Sequence, residues 1–347
     1  MRDLVVAGGG PVGLAVALHA QRAGLDVVVR EPRPGPVDKA CGEGLMPGAV
    51  AELAALGVEP RGHDIAGIRY LDGVGGGNGV AARFAAGSGR GVRRTVLHAA
   101  LADRLAAAGI SVEQRPVRTL RDAGDHLVVD GEQTRYLVAA DGLHSPTRRL
   151  VGLEADQPRG RRRFGLRCHV HQAPWSDFVE VHWSPHAEAY VTPVDDDLVG
   201  VAILTERGEG FDDALAGFPV LRERLVGERT RVRGAGPLRQ RVRARAAGRV
   251  LLAGDAAGYV DALTGEGIAL GLAQARAAVA CVAADRLDLY DRRARRIGRR
   301  QDLLTHALLL ATRSRAVRRR LVPAAELLPW VFSTAVNQLA RPIVVPA

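Results

Sequence analysis

A chain of 347 residues with 47% hydrophobic residues can bury two substantial cores, and its three cysteines, Cys41, Cys168 and Cys281, lie far apart without a C-x-x-C pair, which excludes a disulfide scaffold and a zinc ribbon. The net charge of +10 invites a nucleic-acid reading, but the arginines are spread along the chain, aromatics are 4%, and no helix-turn-helix, zinc-finger or RNA-binding signature occurs. Anionic cofactors, anionic substrates or membrane surfaces are the better use of that charge, with no nucleic-acid partner expected.

The first apolar run, Leu4-Val5-Val6-Ala7, reads as a buried parallel strand, and Leu14-Ala15-Val16-Ala17-Leu18 as a helix. Between them stands Gly8-Gly9-Gly10-Pro11-Val12-Gly13, with glycines at G-x-G-x-x-G spacing. In that pattern Gly8 permits the tight turn, Gly10 lets a pyrophosphate reach the backbone, and Gly13 lets helix and strand pack closely. The helix N-terminus offers free N–H groups to the phosphates. A second strand, Val27-Val28-Val29, ends at Glu31, whose carboxylate can accept bonds from ribose hydroxyls. A dinucleotide is implied, whether NAD, NADP or FAD. The run is broken by these glycines and begins Met1-Arg2-Asp3, so it reads as neither a signal peptide nor a membrane span, and a cytoplasmic location is expected.

A stiff loop, Pro32-Arg33-Pro34-Gly35-Pro36, leads to Asp38-Lys39-Ala40-Cys41-Gly42-Glu43-Gly44, in which Lys39 is the only lysine of the chain. Residues 49–56 read as a helix, 65–72 and 80–84 as a hairpin around the glycine-rich turn 73–79, and 97–108 as a helix stopped by Gly109. Strand-like runs follow at 110–113, 127–130 and 136–140. Alternating runs at 164–171, 178–183, 189–193 and 199–204 read as an antiparallel sheet. Val250-Leu251-Leu252 starts a third strand-turn-helix unit, with a small-residue helix over 267–284. Residues 286–340 read as helical, basic to Arg320 and then apolar around Trp330. No internal repeat or low-complexity linker is present.

Three segments carry a family likeness. Asp141-Gly142-Leu143-His144-Ser145-Pro146-Thr147-Arg148 resembles the D-G-x-x-S-x-x-R motif of FAD-dependent hydroxylases and their relatives. Gly254-Asp255-Ala256-Ala257 resembles their G-D-A-A motif and is followed by Leu263-Thr264-Gly265-Glu266-Gly267-Ile268. With the N-terminal fingerprint, the chain resembles the superfamily of aromatic hydroxylases, geranylgeranyl reductases and flavin-dependent halogenases, of group A flavin monooxygenase type. The halogenase W-x-W-x-I-P motif is absent, since Trp175, Trp183 and Trp330 are isolated.

The resemblance implies an α/β fold: a Rossmann-like FAD-binding domain with a parallel sheet, an inserted antiparallel substrate sheet and a helical C-terminus. The expected division gives residues 1–62, 92–160 and 235–300 to FAD, 63–91 and 161–234 to substrate, and 301–347 to the C-terminal helical segment. The cofactor is then FAD, with NADPH or NADH as a transient reductant. Gly8, Gly10, Pro11, Val12 and Gly13 would hold its adenosine diphosphate end, with Glu31 and Arg94 beside it. Arg93 is an equal candidate to Arg94. Asp141 of the first motif would also bind the cofactor, Asp255 would accept bonds from the ribitol hydroxyls, and Gly265, Glu266, Gly267 and Ile268 would stand at the flavin pyrimidine edge.

The reaction turns on two loops. Lys39-Ala40-Cys41-Gly42-Glu43-Gly44 resembles the K-x-C-G-G-G loop of geranylgeranyl reductases, whereas Asp261-Ala262 stands where relatives have a proline at 262 and puts a carboxylate in the loop bordering the flavin. Asp261 reads as a base or a solvated acid, Cys41 as a proton donor or a packed thiol, and Lys39 as a partner of phosphate or Glu43, or as solvated. Monooxygenation of a lipophilic or phenolic small molecule comes first on this reading. The alternative is a geranylgeranyl-reductase-like enzyme that saturates an alkene or prenyl substrate. The histidines show no metal-ligand pattern, and the basic, apolar C-terminal region suits a peripheral membrane contact.

Overall fold

The computed structural model describes residues 1–77, 79–157, 162–206 and 208–345. Asn78 of the glycine-rich turn and the expected boundary between residues 160 and 161 lie outside the described residues. β1 (Arg2–Ala7), α1 (Pro11–Arg22) and β2 (Val27–Arg30) form the expected strand-turn-helix-strand start. β1 is apolar on both faces because both are covered. Leu4 and Val6 join a core with Leu14, Leu18 and Leu101, while Val5 and Ala7 pack with Val28, Leu137 and Val250.

α2 (Pro47–Ala55) follows, then the hairpin of β3 (Gly67–Asp72) and β4 (Val80–Arg83). α3 (Arg94–Ala107) begins three residues before its apolar period, β5 (Ser111–Glu113) is short, and β6 (Glu132–Ala139) starts earlier than the run at 136. The early start of β6 has a local cause: its first residues pair antiparallel with Leu127–Val129.

The chain then enters its second sheet through β7 (Phe164–His171), β8 (Phe178–Trp183), β9 (Ala187–Asp195) and β10 (Leu198–Thr205), close to the alternating runs of the sequence. β11 (Arg233–Ala235) pairs with β7. β12 (Val250–Leu252) returns to the first sheet, whose parallel strands stand in the order β12-β6-β1-β2-β5. The second sheet has seven strands, in the order β11-β7-β10-β9-β8-β3-β4. It departs from the purely antiparallel expectation at one junction, since β3 runs parallel to β8. These strands come from distant parts of the chain, so no tight turn forces them antiparallel.

Four helices close the fold: α4 (Gly267–Ala283), α5 (Tyr290–Ala311), α6 (Arg315–Leu327) and α7 (Pro329–Ala340). α4 packs on α1, and its small residues allow the approach: a Cβ on Gly271 would stand 2.4 Å from Val12 Cγ2. α6 and α7 lie on the second sheet, Val322 against Val181 and Trp183, and Phe332 and Val336 against Val80 and Ala82. The side chain of Arg318 pins α6 there. Its Nη2 pairs with Glu188 Oε1 at 2.7 Å, and its Nε donates to the carbonyl of Thr312.

Candidate functional site

The glycine turn joins the C-terminal end of β1 to the start of α1, the end of a parallel strand where open α/β sheets bind ligands. Gly8 takes φ +102°, and a Cβ there would fall 2.5 Å from the carbonyl oxygen of Ala140, while one on Gly13 would fall 1.8 Å from that of Gly8. Around Gly10 the backbone is open, and the nearest atom to a Cβ would be Arg94 Nη2 at 3.8 Å. Arg94 is buried, and its Nη1 has no hydrogen-bond partner among the described residues. A buried guanidinium with a free donor beside the partly exposed, side-chain-free backbone of Gly10 fits a pyrophosphate, which supplies both acceptor oxygens and charge. Burial first, and the nearby charge of Arg33 after it, pull the Arg94 guanidinium below its usual range, a penalty an anion would offset.

Glu31 ends β2 and is buried, with Oε2 accepting the Gly9 N–H at 2.9 Å and Oε1 the Arg33 Nε at 2.7 Å. Burial opposes its charge, but the bonds from Arg33 and Gly9 outweigh it and hold the carboxyl below its ordinary value. Pro11 starts α1, where its missing N–H costs nothing, and Val12 packs on Gly254. Asp141 Oδ2 accepts the Thr147 N–H at 2.9 Å, and its buried Oδ1 has no partner among the described residues.

The loop of residues 38–44 crosses to the G-D-A-A turn. Lys39 Nζ meets Asp255 Oδ2 at 2.9 Å, so the lysine pairs with Asp255 and not with Glu43. Glu43 is the residue that the sequence reading underweighted. It takes φ +59°, is 2% exposed, accepts the Arg94 N–H at 2.8 Å and meets His169 Nε2 of β7 at 2.7 Å. Arg167, also of β7, bonds Asp38 and the carbonyl of Lys39. The signal was its position: an acid where the family loop has glycine. His169 is therefore a clamp and not only a sheet histidine. Between these anchors sits Cys41, partly buried, its Sγ accepting the Glu43 N–H at 3.4 Å. Burial first, and the Glu43 carboxylate second, push its thiol above the usual range, so it carries its proton.

Tyr259 was also missed. A Cβ on Gly267 would lie 3.4 Å from its ring, and its phenol is raised by burial and then by the charges of Asp255, Asp261 and Cys41. It thus ties the turn at 255, the loop at 41 and the start of α4 into one locality. Gly265 takes φ +70°, Glu266 caps α4, Gly267 opens it, and Ile268 packs on the main core. Glu266 is buried with no partner for Oε1 among the described residues, and burial lifts its carboxyl to about 8.

Asp261 faces the other way. It is 8% exposed, its Oδ2 lies 3.0 Å from Arg163 Nε, and its Oδ1 accepts the Leu263 N–H. Arg163 in turn pairs with Glu188, and Glu188 with Arg318, so the carboxylate ends a buried ion-pair chain. Burial raises it to about 6 even though Arg163 pulls the other way. Among the described residues no cluster of His, Cys, Asp or Glu has the arrangement to hold a metal.

The open backbone at Gly10 and the unpartnered Nη1 of buried Arg94 give the glycine turn the features of a dinucleotide site. The chain belongs to the FAD binding domain family, whose pattern matches residues 1–212, and FAD is the cofactor that the site fits. It is similar to menaquinone reductases of Mycolicibacterium smegmatis (59% identical over 56 residues, 16% of this chain and 14% of that protein) and Mycobacterium tuberculosis (35% over 162 residues, 43% and 40%). It is also similar to a rifampicin monooxygenase of Streptomyces venezuelae, 29% identical over 163 residues, 44% of this chain and 34% of that protein. These matches span well under two thirds of the relatives' own length. The fold is shared with p-nitrophenol 4-monooxygenase of Pseudomonas putida, at a TM-score of 0.77 and 19% identity, covering 98% of this chain and 95% of that one.

Proposed function

We propose that this protein is an FAD-dependent oxidoreductase that saturates a carbon–carbon double bond of a lipophilic, prenyl- or prenylquinone-type substrate. The observation that supports the reading is a protonated Cys41 thiol in a loop fixed by the Lys39–Asp255 pair on one side and the Glu43–His169 contact on the other. Reduced FAD, when bound, would supply the hydride, with NADPH or NADH as the reductant that loads it. Addition of hydride to one alkene carbon requires a proton at the other, and a neutral thiol held in place is a fitting donor. Tyr259 is a second neutral donor in the same locality. The menaquinone reductase relatives support the same direction.

Monooxygenation keeps as support the rifampicin monooxygenase relative and the Asp261 carboxyl near 6, which is a base for a phenolic proton once Arg163 moves away. Anaerobic mixing of the reduced, FAD-loaded protein with a prenylated quinone separates the two. Reoxidation without oxygen, with a product two hydrogens heavier, is expected; turnover only with oxygen and an oxygenated product would overturn the reductase. Cys41→Ser is expected to slow the proton-transfer step by about 10²-fold with the flavin spectrum intact, and unchanged turnover would remove Cys41 from the mechanism.

A further inference from the structure

Seven of the fourteen large apolar side chains exposed among the described residues fall within residues 303–331. On α5, Leu303 and Leu310 are 68% and 59% exposed, and Ala307 and Ala311 share their face at helical spacing. Val317 is exposed on α6, Leu327 and Leu328 at the α6–α7 junction are 81% and 50% exposed, and Trp330 stands out from α7 at 69% beside Val331. The opposite faces are those that pack inward: Ala294, Ile297 and Thr305 of α5, Arg318 and Val322 of α6, and Phe332, Val336 and Ala340 of α7. These helices therefore have two apolar sides, one used by the core and one presented outward.

The charge around the outward side has a single sign. Arg313, Arg315, Arg319 and Arg320 are exposed and form no ion pair among the described residues, and Glu326 is the only acid between residues 303 and 331. The first half of α5 adds exposed Arg292, Arg295, Arg296 and Arg299. A second copy docking face to face would bring these arginines against their own kind, whereas an anionic surface neutralises them. No helix among the described residues is long and apolar enough to cross a membrane, so a fit to a bilayer is along its surface.

We propose that residues 303–331 dock this protein on an anionic phospholipid bilayer, with Leu310, Leu327 and Trp330 at the acyl boundary and the arginines on headgroup phosphates. The surface carries this on its own, independently of the reaction proposed above. The test uses the FAD-loaded full chain and sedimentation of vesicles made of phosphatidylcholine with or without phosphatidylglycerol. Binding is expected to the anionic vesicles and not to phosphatidylcholine alone, and to fall with salt. Arg319→Ser and Arg320→Ser are each expected to lower partitioning about fivefold. Leu327→Asp with Trp330→Asp is expected to lower it about tenfold or more, with flavin absorbance and melting temperature unchanged to show an intact fold. Absence of sedimentation at low salt would overturn the proposal, as would binding undiminished by the double Asp variant. So would light scattering that finds a dimer split by that variant while the native protein ignores vesicles.

Discussion

Glu266 shows how burial sets a residue's chemistry. Its carboxyl lies at about 8 in the fold because desolvation dominates, with Arg300 the only charge pulling it back. An acid raised in this way favours the fold while it is protonated, so its contribution is complete below its ordinary value of 4.5 and is lost as pH rises through about 8. Glu266→Gln, neutral at every pH, is expected to match the native protein at pH 5 and to exceed it at pH 9 by roughly 2–4 kcal/mol. Melts at both pH values check this, and an equal difference at the two would show that Glu266 is charged throughout. The glycines were the most legible residues, because the backbone demands at Gly8 and Gly13 are local and spacing reports them. Glu43 was not legible in that way. Its left-handed backbone is sustained by partners on α3 and β7 that sequence does not place beside it.

At the scale of an element, α6 is held on the second sheet by Val322 in an apolar cluster and by one buried guanidinium. Arg318 satisfies Glu188, the carbonyl of Thr312 and, at 3.4 Å, that of Ser184. Its loss leaves Glu188 with Arg163 as the remaining cation, and Arg318→Met is expected to cost about 2 kcal/mol and to open residues 312–328 to limited proteolysis. Glu188→Gln is expected to cost less in that background than in the native protein, since the pair with Arg318 is already broken. A cycle of these variants with strictly additive effects would refute the latch. The elements themselves were largely readable: strand alternation in β7 to β10 and the small-residue period of α4 follow from which face is buried. The parallel pairing of β3 with β8 was not, because a period of two is the same in either direction.

For the molecule as a whole, the clamp from Glu43 to His169 joins the flavin side of the protein to the second sheet, so the loop carrying Cys41 is positioned by both. His169→Ala leaves the Glu43 carboxylate buried beside Arg167 at 3.8 Å and without its closest partner. A loss of about 3–5 kcal/mol is expected, with flavin released at a lower temperature than the one at which the second sheet melts. Release of flavin together with global unfolding, at an unchanged temperature, would show that the clamp carries no load. The outward arginines and apolar side chains of the C-terminal helices act at this scale too, since they add up to one surface only after three helices have packed.

The sequence by itself determined that this chain folds as an α/β protein with a dinucleotide turn, because strand and helix periods and glycine spacing are short-range demands that each segment states alone, and its resemblance to FAD-dependent hydroxylases at residues 141–148 and 254–257 narrowed that dinucleotide to FAD. It also marked the C-terminal region as basic and apolar. Tertiary structure alone decided what the chemistry-bearing side chains do. Lys39 could have met phosphate, Glu43 or water, and the packing gives it Asp255; Asp261 could have been a free base, and the packing gives it Arg163. The reason is physical: an ion pair between distant segments depends on how two sheets approach each other, and burial, not residue type, sets whether a carboxyl or thiol holds its proton.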